Sequence, residues 1–144
     1  MILYHGSDAV KKLEDIKLPG PREDCDFGQG FYLAESKDTA EEWARNEATP
    51  VINVYEYHPT PSNEIELKGV DWVRVLLAYR EQLFNVKFTK NVVIGAIADD
   101  DMRSTLPAFM VGGIAGITDE VLVVSTSAEY IEDYLREAGD EFTF

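Results

Sequence analysis

Apolar residues along this chain fall into short runs whose internal spacing changes from strand-like to helix-like and back. Ile2-Leu3-Tyr4 is followed almost at once by Gly6-Ser7, which predicts a first strand that stops at His5. A loop rich in proline, glycine and acid occupies 17–30, and Phe31-Tyr32-Leu33-Ala34 predicts a second strand. Ser36 or Asp38 can cap a helix. Glu41 completes a capping box on Asp38, and Ala40, Trp43, Ala44 and Ala48 return at helical spacing. The run Val51 to Tyr57 alternates as a strand, ended by His58-Pro59-Thr60-Pro61 because proline has no amide to give a ladder. Val73, Leu76, Leu77, Arg80, Leu83 and Phe84 predict an amphipathic helix.

Residues 91–98 are almost continuously apolar, as in a buried central strand, and Asp99-Asp100-Asp101 ends them. A short helix from Leu106 to Gly112-Gly113, a strand from Glu120 to Ser125, and a helix opened by Thr126-Ser127-Ala128-Glu129 and running through Tyr134 and Leu135 complete the pattern. Strands and helices mix without strict alternation. The expected class is therefore α+β, in one domain over 1–144, rather than a doubly wound parallel sheet.

Composition narrows the partners. With 27 acids against 13 lysines and arginines the net charge is −14, which opposes a wide surface tracking phosphates, so nucleic acid is not the expected partner. The same charge suits a basic protein partner or plain solubility. The single cysteine, Cys25, rules out an internal disulfide and every cysteine-based zinc pattern. His5 and His58 stand far apart in sequence, so no metal is expected. The first residues lack the basic and apolar regions of a signal peptide and no run is long enough for a membrane helix, which predicts a cytoplasmic protein with no membrane partner.

Three strings carry candidate chemistry: Tyr4-His5-Gly6-Ser7, then Asp26-Phe27-Gly28-Gln29-Gly30-Phe31-Tyr32-Leu33-Ala34, then Asp119-Glu120 ahead of the apolar run Val121 to Val124. They supply a His, a Tyr and a Glu, each on or beside a predicted strand. In that order they resemble the ADP-ribosyltransferase fold, in the branch of diphtheria toxin and the poly-ADP-ribose polymerases. More narrowly they resemble small bacterial domains with a YHGS start and a DFGxGFY segment. The resemblance implies a split β-sandwich of two antiparallel or mixed sheets with flanking helices. It also implies NAD as substrate, no metal, and transfer of ADP-ribose to a macromolecular acceptor, a protein by preference.

The same resemblance implies residue roles. His5 would donate to a ribose hydroxyl of NAD, Gly6 would offer backbone groups to the nicotinamide carboxamide, and Ser7 follows them in the same motif. Tyr32 would stack on the nicotinamide ring, whose positive charge suits an electron-rich face. Gly28 and Gly30 would let the backbone turn close to ligand. Thr39 aligns with a hydroxyl residue that contacts the carboxamide, and Trp43 with an aromatic that closes the pocket. Glu120 would hold its carboxylate at the 2′-hydroxyl, against the oxocarbenium charge that develops as nicotinamide leaves. His5, Tyr32 and Glu120 are thus the candidate catalytic residues.

Other readings have less behind them. Asp26-Phe27-Gly28 lacks the other parts of a kinase, Gly28-Gln29-Gly30 lacks the third glycine and the helix of a dinucleotide fingerprint, and Cys25 has no nearby base. A non-catalytic NAD-binding or protein-binding module on the same fold is the alternative. An RNA 2′-phosphotransferase ranks last, because it needs basic phosphate-gripping residues in a strongly acidic chain.

Overall fold

The computed structural model describes residues 1–18, 27–80, 86–98, 117–125 and 131–141. In chain order these form β1 (Ile2–Ser7), β2 (Phe31–Ala34), α1 (Lys37–Ala44), β3 (Val51–Tyr57), β4 (Glu64–Leu67), α2 (Gly69–Arg80), β5 (Val92–Ala98), β6 (Ile117–Ser125) and β7 (Leu135–Glu141). All seven strands share one sheet in the order β4-β5-β6-β2-β1-β3-β7. Only β4 and β5 run parallel; every other neighbouring pair is antiparallel. The class is mixed α+β, with two α-helices among the described residues.

The ladder is continuous, where two separate sheets were expected. Its weakest seam lies between β1 and β2, which share the single register pair Tyr4↔Ala34, whereas β1 matches β3 from Ile2↔Glu56 to Ser7↔Val51. Side chains alternate across the sheet and build a core on each face. Leu3, Phe31, Leu33, Tyr55, Tyr57 and Val92 join Ile131, Tyr134 and Leu135 on one face, with Ile16 from the segment after β1. On the other, α2 sets Trp72, Val73, Val75 and Leu76 against Phe27, Val93 and Val124, and α1 sets Ala40 and Ala44 on Ile52. The Trp72 indole donates to the Ala96 carbonyl at 2.9 Å, beside the register shift that interrupts the β5–β6 ladder.

Several elements differ from the sequence expectation. β1 continues through His5 to Ser7, because β3 offers a partner to each of its residues. The helix expected through Tyr134 and Leu135 is replaced by a short 3-10 turn, Ile131–Asp133, and by β7, which takes the otherwise open edge of β3. The first residues of that expected helix, Thr126 to Glu129, lie outside the described residues, as do the acidic stop at 99–101, the short helix at 106–113, Leu83, Phe84, Cys25 and Asp26. α1 starts after Ser36, so Asp38 sits in its first turn rather than at its cap. β4 had no counterpart in the pattern; its Glu64-Ile65-Glu66-Leu67 forms against β5.

Candidate functional site

The seam between β1 and β2 is closed by a side chain. His5 Nδ1 lies 2.7 Å from the Tyr32 carbonyl oxygen. A carbonyl only accepts, so Nδ1 carries the proton and donates. Burial drives the imidazole pKa down to about 4; the bond to the Tyr32 carbonyl opposes this and the Lys11 charge adds to it. Near neutral pH the ring is therefore uncharged with its proton on Nδ1, which leaves Nε2 with a lone pair and no hydrogen. Nε2 can accept from a hydroxyl but cannot donate to one, the reverse of the role the resemblance implied. The Phe31 ring, 4.3 Å away between centroids, and the edge of Trp43, at 6.3 Å, hold the imidazole in place.

Tyr32 is fastened at both ends. Its carbonyl receives His5, and its hydroxyl donates to the Gly28 carbonyl at 2.5 Å while accepting from the Phe27 amide at 2.9 Å. The phenol thus clamps the turn that precedes its own strand. Its ring packs on the α2 face of the sheet beside Trp43. Gly28 in that turn has φ +81°, and a Cβ there would meet the Tyr79 ring of α2. Phe27 fills the space over Gly95 of β5 in the same way. Gly30, half-buried, leads from the turn into β2.

Gly6 has a packing reason to be glycine. A Cβ there would stand 2.8 Å from the Ala40 carbonyl carbon and closer still to its oxygen, so α1 lies directly on the β1 backbone. That approach brings Trp43 to His5 and buries Thr39, which is 2% exposed in the first turn of α1. Among the described residues the Thr39 hydroxyl has no hydrogen-bond partner. An orphaned hydroxyl at such depth is uncommon. Ser7, in contrast, is spent locally: its hydroxyl donates to the Ala9 carbonyl at 2.6 Å and accepts from the Ala9 amide and from Asn53 Nδ2.

Glu120 lies in β6, the strand next to β2. In register, Tyr32 faces Val124, four residues beyond Glu120, so the two levels differ by about 13 Å at strand rise. His5 and Gly6 of β1, the Tyr32 carbonyl of β2 and Trp43 and Ala40 of α1 therefore meet at the seam, with Thr39 in the same helix. The Tyr32 ring lies with the α2-side cluster while His5 packs on Phe31 of the other, Gly30 leads into β2, and Glu120 stands farther along the neighbouring strand.

Two side chains absent from the sequence reading belong to this region. Asn53, 2% exposed, sits opposite His5 on β3 and accepts from the Lys11 amide at 2.8 Å. Its Nδ2 lies within hydrogen-bond distance of Ser7 Oγ, the Ala9 carbonyl and the His5 carbonyl. Two strand positions on, the buried Tyr55 hydroxyl donates to the Lys11 carbonyl. An asparagine inside an apolar strand run was the available signal, since asparagine is depleted in strands unless its amide is used.

Among the described residues no three His, Cys, Asp or Glu side chains converge as a metal site, and no helix is long and apolar enough to cross a membrane. The model of the family described as Protein of unknown function (DUF3990) matches residues 1–135. No curated protein and no solved structure matches the chain.

Proposed function

The chain belongs to the DUF3990 family, and from the site at the β1–β2 seam we propose that it is an NAD-dependent mono-ADP-ribosyltransferase with a protein acceptor, which hydrolyses NAD when no acceptor is present. The finer fold assignment, an ADP-ribosyltransferase-like split sandwich whose two halves remain joined by the single register pair of that seam, is part of the same proposal. One observation carries it: the strands that bear His5, Tyr32 and Glu120 are immediate neighbours, in the order β1, β2, β6.

Two polar atoms suit the dinucleotide. His5 Nε2 is an acceptor for a ribose hydroxyl, and the buried Thr39 hydroxyl is free to meet the carboxamide. In the reaction the bond from ribose C1′ to the nicotinamide nitrogen breaks, and its electron pair leaves with neutral nicotinamide. An acceptor nucleophile, or water, then adds at C1′ and loses its proton. A carboxylate near the ribose lowers the barrier through its charge, which acts on the oxocarbenium but little on ground-state NAD.

Nicotinamide release from NAD, followed with and without a cell lysate, tests the proposal. Glu120→Gln should lose on the order of 10²–10³ in turnover and keep its NAD affinity. The second reading, a module that binds NAD without cleaving it, is favoured by the offset of Glu120 along β6 from the level of Tyr32. Binding of NAD with no turnover by the wild type would establish it, and no binding at millimolar NAD would exclude both.

A further inference from the structure

The segment after β1 is held in an unusual way. Both polar backbone groups of one residue, Lys11, are taken by side chains from β3: its amide by Asn53 and its carbonyl by Tyr55, 2% and 1% exposed respectively. Two buried polar side chains devoted to one loop residue fix where that residue's own side chain begins. The two buried side chains and the two backbone groups satisfy one another, which fixes the course of the loop at this residue. Asn53 also faces His5 across the β1–β3 ladder and donates to its backbone carbonyl, which ties the placement of Lys11 to the β1 backbone at His5.

Lys11 itself is half-buried, and among the described residues its ammonium has no carboxylate partner, although acids outnumber basic residues two to one in this chain. Asp15 and Glu137 bear on the Tyr55 hydroxyl, yet neither pairs with it; Glu137 instead accepts from the Leu13 amide. The Lys11 charge adds, after burial and the bond to the Tyr32 carbonyl, to what sets the His5 pKa. A chain of net charge −14 repels any phosphate-bearing ligand, and a locally placed cation is the direct remedy.

We propose that Lys11, clamped by Asn53 and Tyr55, is the cation that receives the diphosphate of a dinucleotide bound at the His5 seam. The proposal rests on reading that seam as a dinucleotide site. It assigns the phosphate contact to a residue outside the three motifs, on the loop that leaves β1. Ammonium-to-phosphate contacts are charge-assisted, and their loss weakens binding without touching the nicotinamide end.

The test is calorimetric titration of the wild type, Lys11→Gln and Lys11→Arg with inorganic pyrophosphate, ADP-ribose, NAD and nicotinamide, alongside nicotinamide release. Lys11→Gln should weaken pyrophosphate, ADP-ribose and NAD by about tenfold or more and leave nicotinamide affinity unchanged, and Lys11→Arg should restore most of the loss. Unchanged nicotinamide binding certifies that the variant is folded at the seam. If NAD is cleaved and binds equally well to wild type and Lys11→Gln, or if nicotinamide is weakened as much as the diphosphates, the Lys11 proposal falls while the functional reading stands. If the diphosphates bind through Lys11 but nicotinamide does not bind and NAD is not cleaved, the functional reading falls while Lys11 stands. Failure of the wild type to bind any of the four overturns both.

Discussion

The two glycine-bearing motifs reach the same seam by different physics. At Gly6 the missing side chain makes room for backbone, the carbonyl of Ala40, so strand and helix meet with nothing between them. At Gly28 it makes room for a side chain, the Tyr79 ring, and the backbone adopts φ +81° besides. Backbone belonging to a helix cannot yield locally, whereas an aromatic side chain can be exchanged. The first motif is therefore a rigid junction and the second a turn held by replaceable clamps, Tyr32, Tyr79 and Phe27.

The sharpest way to break this contrast is Gly6→Ala. It should cost at least about 4 kcal/mol or prevent folding, since the added carbon meets backbone that only a shift of α1 could move. Ala40→Gly should give no rescue, because the clash is with the carbonyl; chemical denaturation of single and double variants measures it.

A second effect belongs to the first motif alone and concerns pH. The folded His5 resists protonation down to about pH 4, while an unfolded histidine takes up its proton near 6.5. Between those values only the unfolded chain gains the proton, so stability falls as pH drops from about 6.5 to about 4 and is insensitive to this group above 6.5. The shift corresponds to about 3 kcal/mol in full. Subtracting the pH–stability curve of His5→Gln from that of the wild type should isolate this slope; equal curves would mean the imidazole is not held neutral.

Smaller again is Gly28→Ala, expected to cost about 2 kcal/mol from the left-handed backbone and the Tyr79 contact together. Here the double variant with Tyr79→Leu should recover part of the loss, giving a coupling energy that the Gly6 pair lacks. The least costly change is Tyr32→Phe, at about 1 kcal/mol for the hydroxyl that clamps Phe27 and Gly28. Hydrogen exchange at the Phe27 amide should quicken in this variant. NAD binding should largely persist, because the ring face that would stack is unchanged; parallel titration of Tyr32→Ala separates ring from hydroxyl.

Local pattern determined much of this protein. The apolar runs behind β1, β2, β3, β5 and β6 and the periodicity behind α1 and α2 were legible, since one buried face imposes its period on consecutive residues. The strings that hold His5, Gly6 and Tyr32 were legible, and Thr39 and Trp43 came from the resemblance alone; that the β1 and β2 strings meet, and that Ser7 spends its hydroxyl on its own turn, is shown by the fold. What tertiary structure decided are matters of partnership between residues far apart in the chain. β4 and β7 end the sheet, carry charges without clean alternation, and exist because β5 and β3 offer open edges; at 131–135 that edge prevailed over a local helix signal. The proton position on His5 follows from a carbonyl 27 residues away, and the clamp on Lys11 from side chains more than 40 residues on. No spacing within a sequence window encodes such contacts, because hydrogen bonds and burial are settled by what the folded chain brings alongside.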